Sequence, residues 1–268
     1  MAADIAYCQH GAIATVVLEN TGKFNAMSRS MWREIRALFT AATQQPDLRC
    51  IVVKGANGHF CAGGDIQEYP DFRFDRHTLR AFHEGDVWAA LQAMLDCDVP
   101  MLAQIEGNCM GAGLEIASCC DLRWASTSAR FGAPIARLGF PMAPREAALV
   151  AGSVGHTTAR AMLLAATVFD APHMLQVGFL TGLCAPTEIT AHCSAQALAI
   201  TALAPQSARQ NKRTFRALNR GLELMDSAGA APDSIANYLK TATCYDYADS
   251  PEHREGIDAF LTKRPPVF

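Results

Sequence analysis

Apolar positions along this chain recur with two periods. Residues 12–19 and 50–55 are short β-branched runs of strand type, and between them residues 28–43 place Met31, Ile35, Leu38 and Phe39 at helical spacing. Ser28 stands where such a helix would take its N-cap. A second helical pattern spans residues 79–95 and stops before the breaker Asp98-Val99-Pro100; a strand over 101–106 follows it. Residues 114–120 then predict a short buried helix and 122–125 another strand. Strand, turn and helix in repetition predict an α/β fold, with strands apolar enough to be covered on both faces.

Beyond Pro144 the strand signals fade, and residues 145–151, 157–166 and 191–203 read as helices. Pro205, Gly221, the Gly229-Ala230-Ala231 stretch and Pro232 punctuate the last third. The organisation expected is an α/β core over residues 1–200 and a helical region over 201–268. A length of 268 residues with 50% hydrophobic content suffices for one substantial core. With 23 basic against 26 acidic residues and no like-charge block of about five or more, nothing favours nucleic acid as a partner. No secretory signal and no membrane-length apolar window occur, so a soluble cytoplasmic protein is expected. The 10 cysteines are scattered through apolar segments without a Cys-x-x-Cys pair, which predicts buried free thiols and no metal site.

Chemistry concentrates in two glycine-rich turns, Phe60-Cys61-Ala62-Gly63-Gly64-Asp65-Ile66 and Gly107-Asn108-Cys109-Met110-Gly111-Ala112-Gly113-Leu114-Glu115. Backbone N–H groups in such turns are fixed donors with no side chain in the way, and two aimed at one carbonyl oxygen hold an enolate. Gly64 and Ala112 are the candidate donors. Glu115, three residues beyond Ala112, shares its helix face and is the candidate acid/base. Neither turn has the Gly-x-Gly-x-x-Gly order or a following Gly-Lys-Ser/Thr, so no nucleotide cofactor is predicted.

These turns resemble the two oxyanion segments of the crotonase superfamily, the enoyl-CoA hydratase/isomerase family. Lys23-Phe24-Asn25-Ala26-Met27-Ser28, Cys120-Asp121-Leu122, Phe131-Gly132-Ala133-Pro134, Leu138-Gly139-Phe140-Pro141 and the tail from Pro251 to Arg264 resemble further family segments in family order. The resemblance implies a spiral of repeated β-β-α turns with a C-terminal helical region used in assembly, and a homotrimer or dimer of trimers. It also implies an acyl-CoA thioester substrate, with no cofactor beyond CoA. Carried over, Gly64 and Ala112 supply the oxyanion donors and Glu115 matches the first of two hydratase glutamates. Lys23, Phe24, Ala26, Ala62, Asp65, Ile66, Gln67, Gly111 and Ile135 fall on substrate- and CoA-lining segments, and Phe260 and Lys263 on tail positions that approach CoA bound to a neighbouring subunit.

One departure bears on the reaction. Where hydratases carry their second glutamate, directly after the proline of the Phe-Gly-x-Pro segment, this chain has Ile135, and Pro141-Met142-Ala143-Pro144-Arg145 replaces a glycine-rich turn. Ile135 moves no proton. A hydratase with one glutamate is the first expectation; a double-bond isomerase or a non-catalytic CoA-ester binder are the alternatives. Among Glu68, Tyr69, His83, Glu84, Asp86, Arg137, Arg145 and Glu146, spacing singles out no substitute; Arg137 suggests a polar or acidic acyl group by charge pairing. Asn25 and Asp121 read as backbone anchors, and Met27, Met31, Trp88, Leu91 and Leu95 as core.

Overall fold

A computed structural model describes residues 3–222 and 245–268. The chain opens with β1 (Asp4–His10) and β2 (Ile13–Glu19), then α1 (Arg29–Ala42) and β3 (Cys50–Gly55). A helical run follows, from α2 (Arg76–Ala81) through a π turn over Phe82–Trp88 into α3 (Ala89–Asp96). Next come β4 (Met101–Ile105), β5 (Asn108–Met110), α4 (Ala112–Ser118), β6 (Leu122–Ser126) and β7 (Arg130–Gly132). The remainder holds α5 (Pro144–Val154), α6 (His156–Leu164), β8 (Val168–Asp170), α7 (Ala171–Gln176), β9 (Gly182–Cys184), α8 (Ile189–Thr201), α9 (Pro205–Leu222) and α10 (Pro251–Thr262).

The strands form two sheets. The larger has the order β1-β2-β3-β4-β6-β9, parallel throughout except for the β1–β2 hairpin, and the smaller has the order β5-β7-β8. Successive turns of the chain place one strand in the large sheet, one short strand in the small sheet and then a helix, as in β4-β5-α4, and this is the spiral that the motifs predicted. Alternation along the parallel strands assigns their faces. Ile51, Val53, Met101, Ala103 and Ile105 enter the main core, while Cys50, Val52 and Leu102 pack with Ile189, Cys193 and Ala197 of α8 on the other side.

The strongly patterned elements form where the sequence predicts them. Ser28 Oγ accepts from the Met31 N–H and caps α1, whose buried face is Met31, Trp32, Ile35, Phe39 and Ala42. Asn25 donates to the Ala56 and His59 carbonyls, and Asp121 accepts from the Met101 N–H, so both anchor backbone. Nine cysteines of the described residues are free thiols, all buried but Cys8. Strands do continue past Pro144, in β8 and β9, and β1, β5 and β7 also lie outside the sequence expectation. Most of β1 is exposed on both faces, and the others are three residues long, too short to show a period. Pro205 opens α9 and Gly221 falls inside its last turn, while residues 229–232 lie outside the described residues.

The helical region beyond residue 200 is tied to the core. Arg209 donates to the Gln45 and Leu48 carbonyls at 2.9 and 2.8 Å, and Lys212 reaches the Val99 carbonyl at 2.8 Å. Arg213 and Arg216 converge on the buried Asp98 carboxylate. These bonds hold α9 against the loops that enter β3 and β4.

Candidate active site

Backbone pairing brings the two glycine turns together. Cys61 and Cys109 form an isolated parallel bridge, in which Cys61 N–H donates to the Asn108 carbonyl at 2.8 Å and Met110 N–H to the Cys61 carbonyl at 2.9 Å. Gly63 (φ +115) and Gly111 (φ +47) hold backbone that a side chain would strain. A Cβ at Gly113 would lie 2.8 Å from the Cys61 carbonyl oxygen, so α4 approaches the first turn as closely as glycine allows. A Cβ at Gly64 would collide with the Tyr69 hydroxyl. Among the described residues neither the Gly64 nor the Ala112 N–H donates to a protein acceptor, although Gly63, Asp65, Gly111 and Glu115 on either side are all engaged. Gly64 and Ala112 both line one cavity, and two such donors aimed at one oxygen are what oxyanion stabilisation requires.

That cavity has a volume of about 340 Å³. Trp32, Phe82, Val87, Met110, Leu138, Phe140 and Met142 give it apolar walls, and Glu115 of α4 and Glu146 from the first turn of α5 both line it. Both carboxylates belong to buried residues, 6% and 3% exposed. Burial raises the Glu115 carboxyl well above its ordinary range, and the Glu146 charge raises it further. Glu146 Oε1 lies 2.9 Å from His83 Nδ1, which the π turn between α2 and α3 presents. Two carboxylates buried in one apolar cavity cost folding stability, and such pairs cluster where proton chemistry is done. Glu146 stands where sequence spacing singled out no residue.

The other ionisable candidates separate cleanly. Glu68 accepts from the Arg29 N–H at the start of α1, Asp86 holds Arg29 and Arg33, and Glu84 pairs with Arg145 at 3.0 Å. All three are engaged away from the cavity. Arg137 lines the cavity but is exposed and donates to the Ala166 carbonyl at 3.2 Å. Tyr69 lines it too, with burial pushing its phenol up to about 12 against the pull of the Arg73 cation. Arg73 also lines the cavity, although no motif marked it. Among the described residues no group of three or more His, Cys, Asp or Glu side chains is placed to hold a metal ion.

Residues 9–268 match the model of the family described as enoyl-CoA hydratase/isomerase. The chain belongs to the enoyl-CoA hydratase/isomerase family. A probable enoyl-CoA hydratase of Mycobacterium tuberculosis is 26% identical over 96% of this chain and 94% of its own length. The 2,3-dehydroadipyl-CoA hydratase of Escherichia coli is 28% identical over the same shares. The crystal structure of an enoyl-CoA hydratase/carnithine racemase from Magnetospirillum magneticum superposes with a TM-score of 0.88 at 30% identity, covering 98% of this chain and 94% of that one. The fold is therefore the crotonase fold.

Within this family frame, the residues expected along the substrate and CoA fall into three groups. Ala62, Ile66, Gly111 and Ile135 line the cavity with Gly64, Ala112 and Glu115. Lys23, Phe24, Ala26, Asp65 and Gln67 are not among the residues that line it. Lys23 Nζ lies 2.6 Å from Asp65 Oδ2, Asp65 Oδ1 accepts from the Gln67 N–H, and the Phe24 carbonyl accepts from the Ala62 N–H. Lys23 and Asp65 thus meet each other first. Phe24 is 56% exposed and packs against His59, whereas Ala26 is buried. Phe260 and Lys263 sit on or just after α10, exposed and away from this chain's cavity.

Proposed function

We propose that the protein is an enoyl-CoA hydratase-type enzyme whose two carboxylates are Glu115 and Glu146. The observation that carries this reading is the presence of both in one cavity beside the free Gly64 and Ala112 N–H groups. The thioester oxygen sits between the two donors, which take up the charge that develops on it as the β carbon is attacked. Glu146, held by His83, takes a proton from water as the oxygen adds to the β carbon. Glu115, whose burial favours the protonated form, gives its proton to the α carbon. Proton exchange between the two carboxyls restores the starting state. Ile135 acts as an apolar wall, and the glutamate that hydratases place there has its counterpart on α5.

The same pair could also shift a 3-enoyl double bond. Hydration is favoured because Glu146 gives water a base of its own, and because relatives across nearly the whole chain are named hydratases. A purely binding role is disfavoured by the cost of burying a carboxylate pair with nothing to do. The assembly follows from the resemblance: a homotrimer or pair of trimers, with the exposed Phe260 and Leu261 of α10 turned to a neighbouring subunit. Incubation with matched 2-enoyl- and 3-enoyl-CoA series, read by mass spectrometry, tests the reading. A gain of one water on 2-enoyl thioesters supports it; isomerisation alone, or binding without product, overturns it.

A further inference from the structure

Arg73 stands apart from the arginines that meet a carboxylate or a carbonyl. Arg29 and Arg33 pair with Asp86, Arg213 and Arg216 with Asp98, and Arg123 donates to the Phe179 and Cys120 carbonyls. Among the described residues the Arg73 guanidinium meets no carboxylate or carbonyl. It lies instead between two rings, 3.7 Å from the Phe140 centroid and 4.5 Å from the Tyr69 centroid. The rings hold its plane and leave its N–H edge unspent. Burial lowers the pKa of Arg73 against the upward pull of Tyr69 and of the Glu146 carboxylate in the same cavity, and among the described residues no carboxylate forms an ion pair with its guanidinium.

Its position relates this cation to the reaction centre. The Tyr69 hydroxyl touches Gly64, one of the two oxyanion donors, and Arg73 covers the ring of the same tyrosine. The guanidinium is thus about one aromatic side chain from Gly64, in the part of the cavity wall that Phe140 shares. We infer that Arg73 reads a carboxylate at the far end of the acyl group, so that the preferred ligands are CoA thioesters of α,ω-dicarboxylic acids. The inference rests on the acyl-CoA reading above and names its substrate class. Arg137, the cation that charge pairing suggested from sequence, is exposed and spends a donor on Ala166, whereas among the described residues Arg73 forms no hydrogen bond or ion pair through its guanidinium. Stacked guanidinium suits the task because its planar fork takes a carboxylate through two parallel hydrogen bonds.

Binding of saturated thioesters tests this without requiring turnover. Glutaryl-, adipyl- and pimelyl-CoA are compared by calorimetry with pentanoyl-, hexanoyl- and heptanoyl-CoA, for the wild-type protein, Arg73→Gln and Arg73→Lys. The expected result is at least one dicarboxylyl thioester bound about tenfold or more tighter than its neutral match, a preference erased in Arg73→Gln and partly kept in Arg73→Lys. Equal or tighter binding of the neutral series throughout would overturn the inference. So would an Arg73→Gln that weakens both series alike, since that would assign Arg73 to CoA or to the Glu146 charge. Failure of hydration with this preference intact would overturn the proposed reaction and leave the substrate class standing. Loss of all thioester binding in the wild type would remove both.

Discussion

At the scale of single residues, the Glu115 carboxyl carries a cost that can be measured. Its pKa in the folded protein is raised above the ordinary 4.5, by burial first and by Glu146 second. As pH rises through 4.5 the unfolded chain gives up this proton while the folded one keeps it, so stability falls until pH passes the raised folded value and is level beyond it. Glu115→Gln removes that fall. Urea melts should show the variant gaining on the wild type from about pH 4 towards neutrality, by roughly 1.4 kcal/mol for each pH unit of the window. A difference independent of pH would contradict the raised value. Glu115 was legible in the sequence because Ala112 and the glycines around it fix its helix face. Glu146 was not: it belongs to another helix, and only the packing of α4 against α5 and the His83 contact bring it to the site. Arg73 was hidden for the same reason, since the rings that hold it come from residues 69 and 140, far apart in the chain.

At the scale of elements, pattern was legible wherever an element was long enough to repeat it. The α1 stripe, the fully buried β4 and the breaker after α3 all stand close to their expected bounds. The helix expected over residues 79–95 begins earlier, at Arg76 under an Asp75 cap, and contains a π turn that the 3.6 period could not foretell. That turn presents Phe82, His83 and Val87 to the cavity. Replacing His83 by Phe would leave Glu146 without its ring nitrogen partner. Hydration should fall about tenfold or more in kcat while the KM for substrate moves less, with pH–rate profiles shifted; an unchanged profile would contradict a positioning role. Another element-scale prediction concerns α9. Asp98→Ala leaves Arg213 and Arg216 without their shared acceptor, and should cost about 1–3 kcal/mol of unfolding free energy in denaturant melts. A loss below about 0.5 kcal/mol would mean that the clamp contributes nothing to holding the helix.

At the scale of the whole molecule, the spiral explains why two turns far apart in sequence become one site. Each turn of the chain adds a strand beside the previous one, so the Cys61 and Cys109 segments become neighbours and their following residues, Gly64 and Ala112, open onto the same cavity. Assembly belongs to this scale as well. Phe260 and Leu261 are 82% and 72% exposed on α10, apolar area that a trimer would cover. Sedimentation velocity should find trimers or hexamers, with Phe260→Asp shifting the population to smaller species; a wild-type monomer at micromolar concentration would contradict the assembly. No described helix is long and apolar enough to cross a membrane.

In the proposed mechanism Glu146 does the work of the glutamate missing at Ile135. The most direct measurement is the rate of water addition to a 2-enoyl-CoA substrate by Glu146→Gln, a change that keeps the shape of the side chain and removes its charge. The expected result is a loss of about 10²- to 10⁴-fold in kcat, with binding of the saturated thioester nearly unaltered, matching the loss in Glu115→Gln. Turnover of Glu146→Gln at the wild-type rate would contradict it and leave Glu115 to act alone.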